Sequence, residues 1–516
     1  MLIAVKSVLK ELESVFGDRL YTEPQILALY SREASSESGR LPLAVVYPLS
    51  TEEVVELVRI AIKNRLKIIP LASSTSLSGN TIIEEERTVV VSFEKMVKIL
   101  EISDVDWYTR VQPGIRVDEL NLELSRYGLH WPVDPASARA ASVGGVIANG
   151  GGGVKGARYG PASHWVLALE AVIGTGDVIR VGCSTVKCRE GYNLMQLFIG
   201  SEGTLGIVTE ATLRLAPLPQ SFVGVMARFQ DIMPLVDAVI EVRRSRIWPT
   251  VAEFVDREVA KLVGLGDGYY LWLGCEVTPG GEENMLNALS NVLSSRGEVV
   301  AVASSLGEFN KLLEPRRRLY SAQLNAAFEE YGADAFLYIE DIAVPISKLG
   351  EAVKAIEALA RKYRVKYAMG GHIGDGNLHP AAWARRSDEE EMSRVRQFYL
   401  EVGRLAIKLG GTISAEHGIG THKKALLREA ATAKGGDVVL KLMKELKRVF
   451  DPYVNTSVPH MWQRGRGTTA PGAGSTSSSL RLQTAELEKR RSGGWPPVCT
   501  AGRATSSAPR GYRLPR

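Results

Sequence analysis

Four of the seven histidines in this 516-residue chain fall in two short segments. One is His372-Ile-Gly-Asp-Gly-Asn-Leu-His379; the other is Ala415-Glu416-His417-Gly418-Ile419-Gly420, with His422 following. Imidazoles and a carboxylate interleaved with glycine suit a divalent metal site with a proton acceptor beside it. His372, His379 and Glu416 as ligands would leave a coordination position open for substrate, the pattern of a catalytic site and not a structural one. Taken singly, each histidine reads as well as a satisfied core or surface residue; it is the constellation that carries the metal reading.

Gly374 and Gly376 argue against a helix through the first segment, so its histidines are expected on either side of a tight turn, facing one ion. In extended chain Glu416 and His417 would point in opposite directions, one toward the metal and one toward the substrate. The elements that position them are legible around these segments. AVVYPL reads as a strand, Ser50 with Glu53 as a capping box opening the helix TEEVVELVRIAIKNR, and LKIIPLA and RTVVVSF as further strands. LALEAVIGTGDVIRV reads as a hairpin turning near Gly174-Thr175-Gly176-Asp177. Strands GYYLWLGCEV and AFLYIEDIAV, and helices GEAVKAIEALARKYR and EEEMSRVRQFYLEVGRLAIKLG, give the second half an α+β texture. The Pro217-Leu218-Pro219 punctuation suggests domains at 1–220 and 221–455, with a disordered basic tail at 456–516.

The net charge of +5 belongs to that tail: residues 457–516 hold ten Lys/Arg against two Asp/Glu, which leaves the preceding body at −3. A nucleic-acid-binding body is therefore not expected. At 45% hydrophobic content the chain can build large cores. Its apolar runs fall short of the roughly 18 residues of a membrane span, and the charged N-terminus does not read as a secretory signal. The expected location is cytoplasmic, with peripheral membrane contact allowed. The four cysteines are scattered, without iron–sulfur spacing; Cys183 and Cys188 are expected as reduced thiols.

Gly151-Gly152-Gly153-Val154-Lys155-Gly156 matches the dinucleotide pattern GxGxxG, but Gly156, Gly160 and Pro161 break the helix that must follow, which excludes a Rossmann domain. Three glycine-bearing loops, 72–79, 144–153 and 200–206, carry hydroxyls at Ser73, Ser74, Thr75, Ser76 and Ser142. Backbone N–H groups bared by glycine suit a phosphate-bearing cofactor.

These residues carry a resemblance. Pro70 through Gly79, Val133-Asp134-Pro135, Ser142-Val143-Gly144-Gly145, Tyr159-Gly160, Gly191-Tyr192-Asn193-Leu194, Gly200 through Gly206, Asp341-Ile-Ala-Val-Pro345 and both histidine segments occur in one order. Over residues 25–455 the chain resembles the FAD-dependent 2-hydroxy-acid dehydrogenases of the glycolate oxidase and D-lactate dehydrogenase type, in the vanillyl-alcohol oxidase superfamily.

The resemblance implies an α+β fold: a two-lobed PCMH-type FAD-binding domain and a substrate domain with an antiparallel sheet and C-terminal helices. It implies non-covalent FAD held by Ser73, Ser74, Thr75, Ser76, Gly79, Pro135, Ser142, Gly145, Asn149, Gly152, Gly153, Gly206 and Ile207. His372, His379 and Glu416 correspond to ligands of a divalent metal, Zn or Mn; His417 corresponds to the base, and Arg316 to the anchor of the substrate carboxylate, with a register open by one among Arg316, Arg317 and Arg318. The implied reaction moves hydride from a D-2-hydroxy acid to the flavin N5, with an unidentified electron acceptor afterwards; a homodimer is compatible with the sequence, which does not fix the oligomeric state. Where the family commonly has Arg-Gly-Gly-Gly, this chain has Leu71-Ala72-Ser73-Ser74, a stiffer loop with hydroxyls. The rival readings are an alkylglycerone-phosphate-synthase-like flavoprotein, a colourless zinc hydrolase and a noncatalytic flavin-binding subunit.

Overall fold

The computed structural model describes residues 2–453; the basic tail expected from 456 lies outside the described residues. A four-stranded sheet near the N-terminus orders Leu20–Tyr21, Ala44–Val46, Thr88–Ser92 and Lys67–Leu71, the last three parallel. Ser50 caps the helix Thr51–Asn64 by accepting from the Glu53 N–H, and Glu53 returns the favour to the Leu49 N–H at 2.8 Å. That helix packs Val54, Leu57 and Val58 on Val89 and Val91 of the sheet.

Five antiparallel strands follow, in the order Ile99–Ser103, Tyr108–Val111, Gly206–Arg214, Val166–Ile173, Val178–Gly182. Gly144 and Gly145, expected in a loop, instead lie inside the helix Val143–Asn149. Ser142 caps it by accepting from Gly145 N–H at 3.2 Å, and Val143, Val146 and Ile147 bury one side in the core. Glycine is needed at 144 because a Cβ there would lie 2.5 Å from Pro113 Cβ. The segment after Gly153 forms one helical turn, Gly156–Tyr159, before Gly160 at φ +71° ends it; the crossover helix of a Rossmann unit does not form. Cys183 and Cys188, expected as reduced thiols, are disulfide-bonded across the loop after Val178–Gly182, which holds their Cα atoms 5.9 Å apart, within bridging range.

The largest sheet is antiparallel throughout. Its order is Glu298–Ala303, Ser221–Phe229, Tyr269–Val277, Val251–Val255, Lys366–Gly371, Asn377–Arg385, Ala335–Ile339, with Ile342–Ala343 also beside Asn377–Arg385. Both faces are covered, so its strands read as apolar runs: Leu271, Leu273 and Cys275 face one core, Tyr270 and Trp272 the other. Helices Ile232–Arg244, Glu282–Ser294, Leu349–Tyr363 and Glu389–Lys408 cover the first side. Helices Arg257–Leu262 and Leu306–Arg317 cover the second. Among the described residues no helix is long and apolar enough to cross a membrane.

Candidate active site

His372 and His379 flank the turn of a β-hairpin formed by Lys366–Gly371 and Asn377–Arg385. Gly376, at φ +90°, permits the turn; a Cβ there would come within 2.1 Å of Val344 O.

Glu416 and His417 do not sit in extended chain. Asp341 Oδ2 accepts the backbone N–H groups of Ala415, Glu416 and His417 at 2.8, 2.9 and 2.8 Å, and the Ser414 hydroxyl at 2.9 Å. Three successive N–H groups on one oxygen coil the segment, so both side chains reach the same cavity and the alternation expected of a strand is lost. Burial alone would raise the Asp341 pKa, but His417, Lys423 and His379 outweigh it and hold the carboxyl below its ordinary range. Buried Lys423 braces the turn from behind, donating to Ile413 O at 2.7 Å and Asp341 O at 3.1 Å.

The N-terminal sheets hold this turn from the other side. Glu202 accepts from Ile419 N at 2.7 Å, Gly420 N at 3.0 Å and Asn80 Nδ2 at 2.7 Å. Gly152 N–H donates to Glu416 Oε2 at 3.1 Å, and Asn149 Nδ2 to His417 O at 3.4 Å.

His372 Nε2 and His379 Nε2 lie 3.1 and 3.5 Å from Glu416 Oε1, with their rings perpendicular at 87°. Ligands about 2.1 Å from one ion at tetrahedral angles stand about 3.4 Å apart, so the donor set fits a shared divalent cation. Each outer nitrogen is also occupied: His372 Nδ1 lies 2.6 Å from Glu253 Oε1, and His379 Nδ1 3.3 Å from Glu340 O. Such partners orient metal-bound imidazoles. Among the described residues the compact group of donors is Asp341, His379, Glu416 and His417, with His372 reaching it through Glu416; Asp341 Oδ2, however, already accepts four bonds and Oδ1 takes Asn377 Nδ2 at 2.8 Å. We assign Asp341 to holding the turn.

Burial lowers the His372 pKa, but the Glu253 and Glu416 carboxylates overcome this and leave it well above the ordinary value. Burial raises Glu416, and His372 more than reverses it. His417 stacks on His379, centroids 4.9 Å apart and planes within 10°. Burial draws the His417 pKa down to about 4 against the opposing pull of Asp341, and its Nδ1 is buried without a hydrogen-bond partner. A neutral imidazole with a free nitrogen can accept a proton.

These groups line one cavity of about 430 Å³, within the range of small-molecule sites. Ser73, Ser74, Thr75, Ser76, Pro135, Ser142, Gly145, Asn149 and Gly206 line it together with Arg316, His372, His379, Glu416 and His417. Ser74 takes φ +50°, the left-handed conformation a glycine would adopt freely. Hydroxyls and glycine N–H groups lining the same cavity as an acid–imidazole cluster suit a phosphate-bearing cofactor.

Four expected cofactor residues do not line the cavity. Gly79 is where the first loop meets the second histidine segment, and a Cβ would lie 2.0 Å from Thr421 Oγ1. Gly152 spends its N–H on Glu416. Gly153, at φ +132°, backs onto Asp134, whose carbonyl oxygen would be 1.9 Å from a Cβ. Ile207 is fully buried in the core between the two N-terminal sheets.

Of the three arginines, Arg316 is 5% exposed, lines the cavity, pairs with Glu253 Oε2 at 2.8 Å and leaves Nε without a partner. Arg317 also lines the cavity but turns to Asp134 at 3.6 Å, and Arg318 donates to Val263 O at 3.0 Å. Sequence reasoning passed over Glu253 and the anchoring roles of Asp341 and Glu202. The signal for Glu253 was a lone carboxylate inside the apolar strand Val251–Val255, a place where burial demands charged partners.

Comparison with known proteins gives two family matches, "FAD binding domain" over residues 42–182 and "FAD linked oxidases, C-terminal domain" over residues 218–454. The chain is 34% identical over 458 residues to the glycolate oxidase subunit GlcD of Bacillus subtilis, spanning 87% of this chain and 95% of that one. It is 32% identical to the probable mitochondrial D-lactate dehydrogenase of Danio rerio, spanning 87% and 90%. The D-2-hydroxyglutarate dehydrogenase of Stutzerimonas stutzeri is 31% identical, over 84% and 94%. In fold alone the chain is similar to an alkyldihydroxyacetonephosphate synthase, with TM-score 0.69 at 18% identity over 87% and 84% of the chains. It is likewise similar to p-cresol methylhydroxylase, with TM-score 0.67 at 16% identity over 88% and 96%.

Proposed function

Since this chain belongs to the FAD-linked oxidases, we propose that it oxidises a D-2-hydroxy acid to the 2-oxo acid, with a divalent cation at His372, His379 and Glu416. The observation that carries this is the convergence of Arg316, His417 and the two-histidine, one-carboxylate cluster on the cavity lined by the N-terminal loops. FAD, when bound, supplies the two-electron acceptor, and the cation supplies a Lewis acid that acidifies the substrate hydroxyl.

The protein's own share is positioning and proton transfer. Arg316 receives the substrate carboxylate with a planar fork, which orients the carbinol carbon. His417 takes the hydroxyl proton through a free ring nitrogen. Glu253 fastens Arg316 and His372 to one carboxylate, so anchor and metal ligand keep a constant separation. Two electrons and two protons leave the substrate, and a protein or diffusible acceptor must remove the electrons. We propose further that residues 1–220 form the cofactor domain and 221–455 the substrate domain. The cofactor is held without a covalent bond, in keeping with a 72–79 loop that contains no histidine. The colourless-hydrolase reading gives way to the FAD-binding match.

The test is anaerobic titration of the purified protein with D- and L-2-hydroxy acids while the oxidised-flavin absorbance is followed. Bleaching by D isomers is expected, and a flavin that no hydroxy acid bleaches would overturn the proposal.

A further inference from the structure

The strand that carries His379 continues into an apolar wall. His379 and Ala381 share one face of Asn377–Arg385, and Ile339 is paired directly opposite Ala381, so its side chain lies on that face too. On the neighbouring strand Gly370 is opposite His379, and a Cβ at Gly370 would meet Leu319 Cδ1 at 2.3 Å, which puts Leu319 over the same face. Leu77 and Tyr320 pack on the cluster of Ile339 and Leu337, and the Tyr320 hydroxyl is fixed to Ala34 O at 2.6 Å. Leu77, Leu319, Tyr320 and Ile339 all line the cavity that holds Arg316 and the histidine cluster.

Two residues along a strand span about 7 Å, so this wall begins within a few carbon–carbon bonds of a group held at His379. Because Arg316, His417 and these apolar residues line one cavity, a hydroxy acid with its carboxylate on Arg316 and its hydroxyl beside His417 would meet the wall with its remaining carbon substituent. Among the described lining residues the lysines and arginines are Arg316 and Arg317, and Arg317 is paired with Asp134 at 3.6 Å. A second carboxylate on the substrate would lose its water against Ile339 and Leu319 with no free cation to receive it.

Resting on the hydroxy-acid reading above, we infer that the substrate is a D-2-hydroxy monocarboxylate with an apolar side chain, and not a 2-hydroxy dicarboxylate. Ile339 is the specificity-determining residue.

The experiment measures flavin reduction of the holoenzyme by D-lactate, D-2-hydroxybutyrate, D-2-hydroxyvalerate and D-2-hydroxyglutarate. Efficiency should rise by up to about fourfold per added methylene. D-2-hydroxyglutarate should fall at least about 100-fold below D-2-hydroxyvalerate, which has the same carbon count. Ile339→Lys should raise the glutarate-to-valerate ratio by at least about tenfold. Ile339→Ala, which keeps the wall neutral, should lower valerate efficiency and leave glutarate poor, and it serves as the readout if Ile339→Lys does not retain flavin. Equal use of the two five-carbon acids by the wild type, or a ratio unmoved in a flavin-loaded Ile339→Lys protein, would overturn this inference while sparing the hydroxy-acid reading. Failure of every hydroxy acid to reduce the flavin would overturn both.

Discussion

His372 Nδ1 lies 2.6 Å from Glu253 Oε1, and the other oxygen of that carboxylate holds Arg316 at 2.8 Å. A fully buried acid thus ties a proposed metal ligand to the proposed substrate anchor. Removing its charge disturbs both without touching the cofactor loops.

Glu253→Gln should therefore weaken metal affinity by about 10- to 100-fold, the range for lost outer-shell partners, while flavin content stays at the wild-type level. Competition with a chromophoric chelator reads the affinity. Metal binding equal to wild type would detach Glu253 from the site.

His417→Ala should keep flavin and metal yet lower turnover by about 100-fold or more, as for loss of a general base. Glu416→Ala should instead empty the metal site, read by elemental analysis of the purified protein. Wild-type turnover in His417→Ala would remove that residue from the chemistry.

Gly153→Ala combines a left-handed φ of +132° with a Cβ 1.9 Å from Asp134 O. Gly264, at φ +81°, has nothing within 4 Å of its ideal Cβ and serves as control. Gly264→Ala should cost about 1–2 kcal/mol from conformation alone, and Gly153→Ala at least about 3 kcal/mol, since the segment beside Asp134 must also shift. Equal melting temperatures for the two variants would contradict the close approach.

His130 is 4% exposed, and its pKa is drawn down to about 3 by burial and then by Lys155, with Asp134 opposing. A depressed folded pKa means that the unfolded chain takes the proton first. Stability from this residue is present above the ordinary value near 6.5 and is lost as pH falls toward 3. Between pH 7.5 and 5 the loss is about 2 kcal/mol. Denaturant midpoints for His130→Phe should fall less steeply over that interval; identical slopes would show that His130 does not titrate this way.

Local chemistry was readable from the chain alone. The Ser50–Glu53 cap, the hairpin at Gly174–Asp177 and the glycine-bearing turn between His372 and His379 each depend on neighbours a few residues apart, and all three form. The run at Gly144 and Gly145 was misjudged because glycine content signals backbone freedom, whereas Ser142 and the buried side chains beside it favour a helix.

Sequence by itself determined the family and the turn that His372 and His379 flank, because those follow from residue type and short spacing. Tertiary structure alone decided which groups hold the site together. Glu253 reaches His372 across 119 positions, and Glu202 reaches Ile419 across 217. Asp341 coils the segment before His417 so that Glu416 and His417 point together. A buried carboxylate must find donors wherever the folded sheets bring them, and chain spacing carries no record of that meeting.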